Sequence, residues 1–387
     1  MRQQQSAMGQ VSTLIVVLAI IFGTAMVQAA VGFNAVLLPV RLEEYGYGKS
    51  LIGICLSMEV AAVVLISKYI TRIIARLGIF GALALATGIR VGVLFLVASS
   101  RNWVLWCVCV FFFGMNTNIM LISLQTWINT IPMTRFKGLA IGSFSSALSL
   151  GTASGPVMVH LAGIDGGARP FHVNMAIVAF TLLPFLLLAK FIPKIPAGPK
   201  LRLGFVLRMA KIAMFSSLVG GVTFYGLPAF LTLYGMMNGL SVERASYLIS
   251  LFMLGSITLG LGVCALSDFL NRTVVIVVCV FVGVLCAVYL PLAIYTYPVA
   301  LGLLFVWGGA AGGIYGTGLA IVGDMFRKED QVSANVAYSL MDCLGGVIGV
   351  NLIGFSMDFE GSDGIVYVII LAALVYFIYC LSKVRVD

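Results

Sequence analysis

Acidic side chains are scarce in this chain, with 14 aspartates and glutamates against 23 lysines and arginines in 387 residues, and histidine occurs only twice. So few carboxylates and imidazoles form no cluster with metal-ligand spacing, and no metal is expected. Glu43, Glu44 and Asp165 are too scattered to supply the clustered catalytic set that a membrane-embedded enzyme would need. No glycine-rich loop follows a strand to cradle phosphate, so neither a nucleotide nor any other cofactor is indicated. Cysteine is present eight times, always inside apolar runs, which points to neither a disulfide framework nor a zinc site. Long polar stretches are missing too, apart from the basic segment Pro193–Lys211 at the midpoint.

What remains is apolar. With 61% hydrophobic and 10% charged residues and a mean hydropathy of +1.10, the chain lacks the polar surface to cover a water-soluble globule, so its solvent is lipid. A bilayer core about 30 Å thick takes about 20 apolar residues per helix. The sequence then predicts twelve spans, at 11–40, 51–70, 79–98, 103–129, 138–163, 171–192, 209–235, 244–265, 273–291, 298–322, 332–357 and 364–382. Strands of a barrel would alternate every second residue, and these runs are solid. The fold class expected is an all-α polytopic membrane protein with twelve transmembrane helices in two six-helix, pseudo-symmetric bundles.

Short loops leave no room for an extramembrane domain and make neighbouring helices antiparallel. The expected organisation is a bundle over residues 1–192, a cytoplasmic basic linker over 193–208 and a second bundle over 209–387. Pro193-Lys-Ile-Pro-Ala-Gly-Pro199 reads as an extended connector running into the basic, amphipathic piece Leu201–Lys211. Two such halves are the layout of a transporter built from repeats. Lysine and arginine concentrate in the loops on one side, while the other side keeps Arg41, Lys49, Arg101, Arg169 and Arg244. By the positive-inside rule both termini are cytoplasmic in a cell, or inner, membrane. The net charge of +9 then reflects topology and attraction to anionic headgroups, with no nucleic-acid partner implied. Val11–Ala25 followed by Val27-Gln-Ala29 imitates a signal peptide, but the apolar run continues to Val40 and is expected to stay uncleaved.

Ionisable residues inside spans each cost about 2.5–3.5 kcal/mol at a helix centre unless they find a partner or water. Three stand out as candidates for ion coupling: Glu59 in the second span, Arg90 in the third and Asp342 in the eleventh. Glu59 and Arg90 could form an ion pair that rearranges during transport, Glu59 and Asp342 could alternately take protons, or Glu59 and Arg90 could simply satisfy each other between packed helices.

The loop after the second span reads Lys68-Tyr-Ile-Thr-Arg72-Ile-Ile-Ala-Arg76-Leu-Gly78, and the end of the eighth reads Gly262-Val-Cys-Ala-Leu-Ser-Asp268-Phe-Leu-Asn-Arg272. Across essentially its whole length the chain resembles the major facilitator superfamily, whose G-x-x-x-D-R-x-G-R-R pattern these two segments echo. The first copy lacks the acid, having Thr71 and Lys68 there. The resemblance implies gating roles for Asp268, Arg272 and Arg72. Gly151-Thr-Ala-Ser-Gly155-Pro156 matches the start of a motif of the family's antiporters, and makes Gly155 and Pro156 candidates for a bending gate helix, with tight packing the competing explanation. Leu124–Asn129, Leu38–Leu42 and Asp342 to Asp358 are similar to a bacterial branch often labelled YcaD-like, in which an acid commonly takes the place of Gln125.

In that superfamily the first, fourth, seventh and tenth helices line the cavity. The resemblance therefore implies substrate contacts at Gln28, Asn34, Asn116, Asn118, Gln125, Tyr225, Trp307 and Tyr315, although core packing is open for each, the aromatics above all. Amides and aromatics without a central lysine or arginine suit a neutral, zwitterionic or amphiphilic small molecule better than a polyanion. The function expected is secondary active transport by alternating access, coupled to protons, in a monomer. A proton-antiport efflux pump, an uptake symporter and a facilitator stay open as variants.

Overall fold

The computed structural model describes residues 2–131, 137–163, 167–188, 209–326 and 328–384, so the expected linker at 193–208 lies outside the described residues. Among the described residues twelve α-helices follow in order: α1 Arg2–Glu44, α2 Lys49–Ser99, α3 Trp103–Thr130, α4 Lys137–Ala162, α5 Arg169–Phe180, α6 Leu183–Leu187, α7 Lys211–Met237, α8 Val242–Leu266, α9 Arg272–Ala293, α10 Tyr297–Met325, α11 Lys328–Glu360 and α12 Gly364–Val384. No strand occurs among the described residues. Lipid offers no partner for backbone N–H and C=O groups, and helices satisfy theirs internally. Ten stretches of the described residues are long and apolar enough to cross a membrane, against the twelve spans the sequence predicts, and the last of them, Ala334–Tyr379, covers most of both α11 and α12.

Between the second and third predicted spans the sequence places a polar loop, at residues 68–78. The structure instead carries helix through that segment and breaks it only at Gly78, whose φ of 71° and ψ of 169° interrupt α2. Polarity misleads there because charged residues at a membrane surface need water, not a loop, and a helix that overshoots the bilayer supplies it. Gly78 is the point where the chain leaves the helical region, at a φ that side chains with a Cβ rarely adopt. Elsewhere the ends carry ordinary caps. The side chains of Asn102, Ser241 and Asn271 accept hydrogen bonds from the first turns of α3, α8 and α9, satisfying donors that have no intrahelical partner.

The chain divides into two compact units, one of residues 1–34 and 65–198, the other of 35–64 and 199–387. The first unit has its core where Val16, Ile20 and Val27 of α1 meet Leu83 and Ala86 of α2 and Leu124 of α3. Trp127 packs on Phe185 there, with ring centres 5.7 Å apart. In the second unit α7, α9, α10 and α12 close around Val219, Ile276, Val280, Ile314 and Tyr376. Many large apolar side chains point outward, among them Leu261, Leu292 and Ile378. Lipid tails are as apolar as leucine, so helices are drawn together by close fit rather than by escape from the solvent. Glycine provides that fit: a Cβ on Gly255 of α8 would lie 1.8 Å from the Phe305 carbonyl oxygen of α10, and one on Gly308 of α10 equally close to that of Phe252.

Candidate transport site

Asp342 lies in the middle of α11 and is 5% exposed. The hydroxyl of Tyr225 on α7 lies beside its carboxylate. The same hydroxyl lies 3.9 Å from Cys343 Sγ. A Cβ on Gly346 would come 2.6 Å from the Tyr225 ring, and a Cβ on Gly221 would come 2.0 Å from the Asp342 carbonyl oxygen. Two glycines, one on each helix, thus let α7 and α11 approach until the phenol reaches the acid. Tyr315 of α10 and Tyr338 of α11 are within electrostatic reach of the carboxyl. Their rings meet edge-on at 5.4 Å, and Tyr338 donates its hydroxyl hydrogen to the Tyr315 carbonyl at 3.1 Å. The Tyr315 hydroxyl sits 3.4 Å from Ser339 Oγ. Ser217 of α7 holds the other side, donating to the Tyr338 carbonyl at 2.8 Å. Among the described residues no cationic side chain pairs with Asp342.

The structure therefore brings together three of the residues singled out from sequence, Tyr225, Tyr315 and Asp342. Tyr338, Ser339 and Cys343 belong to the same cluster and were missed. The signal for Tyr338 and Ser339 was available, since positions four and three before Asp342 share its helix face. Trp307 is elsewhere: it is buried against an apolar cavity lined by Thr223, Cys279, Gly283 and Ile369.

In the first unit, Asn174 Nδ2 donates to Asn34 Oδ1 at 2.6 Å, a buried amide pair between α5 and α1. Asn116 of α3 is wholly buried and neither of its polar atoms has a hydrogen-bond partner, as is true of Gln28 Oε1 and Asn118 Nδ2. Gln125 is exposed on α3. Arg90 is buried on α2, donates to Thr117 Oγ1 and places its guanidinium 5.5 Å from the centre of the Phe113 ring. Glu59 is half-buried and belongs to the other unit.

Of the gating candidates, Arg272 bridges two acids, Asp268 at 3.2 Å and Asp324 at the end of α10. Sequence spacing offers no hint of Asp324, which comes from a different helix. Arg72 is exposed on α2. Gly155 lies against Gly32 of α1, where a Cβ would come 2.1 Å from backbone carbon, and Pro156 follows it inside α4. At the far end of α11, Asp358 accepts hydrogen bonds from the backbone nitrogens of Lys49 and Ser50, at 2.7 and 2.8 Å, and from the Ser50 hydroxyl. It thereby caps α2 from outside that helix, placing negative charge on the positive end of the helix dipole.

A bundle of apolar helices with glycine-cut crossings, long enough to cross a bilayer, defines a polytopic membrane protein. The sequence pattern of the Major Facilitator Superfamily matches residues 20–350 and 213–385, and the chain belongs to that family. It is accordingly a multi-pass membrane protein that transports small molecules, and not an enzyme. It is 24% identical over 289 residues, 73% of each chain, to a Bacillus subtilis (strain 168) protein described as the uncharacterized MFS-type transporter YfkF. Among solved structures, the nucleoside transporter NupG superposes with a TM-score of 0.77 at 14% identity, over 95% of this chain and 98% of that one. A bacterial homologue of the human lysosomal transporter Spinster does so with a TM-score of 0.77 at 12% identity, over 95% and 96%. Likenesses at this identity speak to the fold.

Proposed function

We propose that the chain is a proton-coupled secondary transporter of the cell (inner) membrane, with both termini cytoplasmic, moving a small neutral, zwitterionic or amphiphilic solute by alternating access. The observation that carries this reading is the Asp342 carboxyl, buried on α11 with a tyrosine hydroxyl beside it and no cation. A carboxylate so placed is costly in its charged form, and binding a proton removes the cost. A group that gains by protonation in a closed environment and loses its proton when opened to water can carry that proton across. Tyr225 and Tyr315 connect the acid to the solute, and Asn116, Asn118 and Gln28 stay candidate polar contacts of the first unit, considered by itself. Arg272 with Asp268 and Asp324 serves as a cytoplasmic latch. The close seat of Gly151–Pro156 on α1 supports exchange of solute against protons.

The test uses the purified full chain. A thermal-shift screen against neutral and zwitterionic metabolites and drugs identifies a solute, since a ligand of the folded state raises its apparent stability. That solute is then followed in proteoliposomes under an imposed pH gradient. Gradient-driven accumulation is expected in the wild type, and a loss of about tenfold or more in Asp342→Asn. Accumulation that persists when Asp342 and Glu59 are both neutralised rejects proton coupling through these acids.

A further inference from the structure

Charge is divided unevenly between the two units. Residues 1–34 and 65–198 carry eleven lysines and arginines and a single acid, Asp165, whereas residues 35–64 and 199–387 carry twelve and thirteen. The positive-inside rule sets where lysine and arginine go and is nearly indifferent to aspartate and glutamate, so it does not explain a unit almost without acids. The contrast is sharpest at the two related segments. In the second unit Arg272 is bridged by Asp268, one turn before it, and by Asp324. In the first unit Lys68 takes the place of Asp268, four residues before Arg72, and Arg76 follows four further on. Among the described residues neither Arg72 nor Arg76 enters an ion pair. Leu65, Tyr69, Arg72 and Arg76 recur at intervals of four, three and four, which keeps them on one face of α2. All four are exposed, Leu65 at 59% and Tyr69 at 44%, while another face of the same helix buries Ile70 and Ile74 in the core of the unit.

We propose that this stripe binds an acidic phospholipid, whose phosphate lies at Arg72 and Arg76 and supplies the negative partner that Asp268 and Asp324 supply to Arg272. The order of residues along the helix follows the layers of a leaflet. Leu65 belongs to the apolar stretch Lys49–Ser67 and meets acyl chain. Tyr69 comes next, at the depth where phenols concentrate. The arginines follow, about 4 and about 10 Å further along the axis, where phosphates lie. Guanidinium groups pair with phosphate oxygens two at a time, and their alkyl stems rest on apolar surface. Arg72 and Arg76 are one turn apart, about 6 Å along the axis, so a headgroup with two phosphates, as in diphosphatidylglycerol, engages both at once. A soluble phosphate would use the arginines alone and leave Leu65 and Tyr69 without a role. The site lies wholly in the first unit and does not depend on how solute and proton are coupled.

Native mass spectrometry of the purified, delipidated full chain tests this, with phosphatidylcholine, phosphatidylglycerol and diphosphatidylglycerol of the same acyl chains added in turn. Each arginine at a charged surface is worth about fivefold in affinity. Diphosphatidylglycerol is therefore expected to bind about thirtyfold tighter than phosphatidylcholine, with phosphatidylglycerol between them. This comparison on the wild type needs no variant to fold. Combining Arg72→Gln with Arg76→Gln removes the preference, whereas Arg72→Lys with Arg76→Lys, which keeps the charge, retains most of it. Arg169→Gln removes one exposed charge elsewhere in the first unit and leaves the preference unchanged, which separates a site from general attraction to a basic surface. Diphosphatidylglycerol with a photoreactive diazirine in its acyl chain labels α2 between Leu65 and Leu77. Inorganic pyrophosphate does not displace the lipid. Equal affinity for the three lipids, a preference that survives the double glutamine variant or falls equally in Arg169→Gln, labelling confined to other helices, or displacement by pyrophosphate at concentrations matching the lipid overturns the proposal.

Discussion

A buried amide facing another buried amide gains one hydrogen bond from the pairing, and either half alone loses it. Asn34 and Asn174 form such a pair at 2.6 Å, both almost completely enclosed. Asn34→Ala leaves the Asn174 amide without its partner, and a loss of about 1–3 kcal/mol is expected. Replacing both by leucine restores most of it, because no polar group is then stranded. A double-mutant cycle on thermal midpoints in detergent checks this, and additive losses in the double variant would reject the coupling. Gly346→Ala is a second case. Its Cβ would sit 2.6 Å from the Tyr225 ring, so an overpacking cost of about 1–3 kcal/mol is expected, together with displacement of the phenol from Asp342. Transport should fall more than stability, and a Gly346→Ala protein with undiminished flux counts against a role for Tyr225. At this scale the sequence reveals charges better than partners. Glu59, Arg90 and Asp342 are visible because an ionisable residue in an apolar run violates a local pattern. Asn174, Asp324 and Thr117 are ordinary polar residues whose importance arises only when another helix arrives.

Helices in this chain meet where glycines remove the obstacle. On α8 and α10, Gly255, Gly308 and Gly312 each present bare backbone to the opposite helix. Glycine-rich runs such as Trp307–Gly313 read as packing surfaces from sequence, yet which helix each one fits depends on tertiary arrangement. Asp358 shows the same limit. Its position at the end of a span is plain, but its task, capping α2 across 308 and 309 residues of chain, is not. Asp358→Ala removes acceptors for two backbone donors and should lower stability by about 1 kcal/mol, the usual worth of such a cap. Asp358→Asn keeps an acceptor and should lose less. Thermal unfolding of the two variants side by side tests the order, and equal losses would assign the effect to charge rather than to capping. The break in α2 is the feature that pattern reading misplaced. Charge clustering announced a turn over eleven positions, whereas the backbone departs from helix at one, Gly78.

Over the whole molecule, composition alone dictates most of the architecture. A chain that is 61% hydrophobic with 10% charge must be a lipid-solvated bundle, and the all-helical fold and family membership agree with that. The grouping of residues is less legible, because units form by contact and not by order: residues 35–64 precede the midpoint but pack with 199–387. Orientation rests on a separate physical term, the cost of moving lysine and arginine through the bilayer during insertion. The turn at Gly239 between α7 and α8 is flanked by one arginine, Arg244, whereas the turn between α8 and α9 carries Arg272 beside Asp268. Alkaline phosphatase fused after Gly239 should therefore be active, being exported, while the same enzyme fused after Asn271 should be inactive. A green fluorescent protein at the C-terminus should fluoresce, since it folds in the cytoplasm. Adding four lysines beside Gly239 should reduce the phosphatase signal there, as the excess positive charge resists export. The reverse pattern of activities would invert the topology and move the latch at Arg272 to the outer face, leaving the Asp342 cluster inside the bilayer in either orientation.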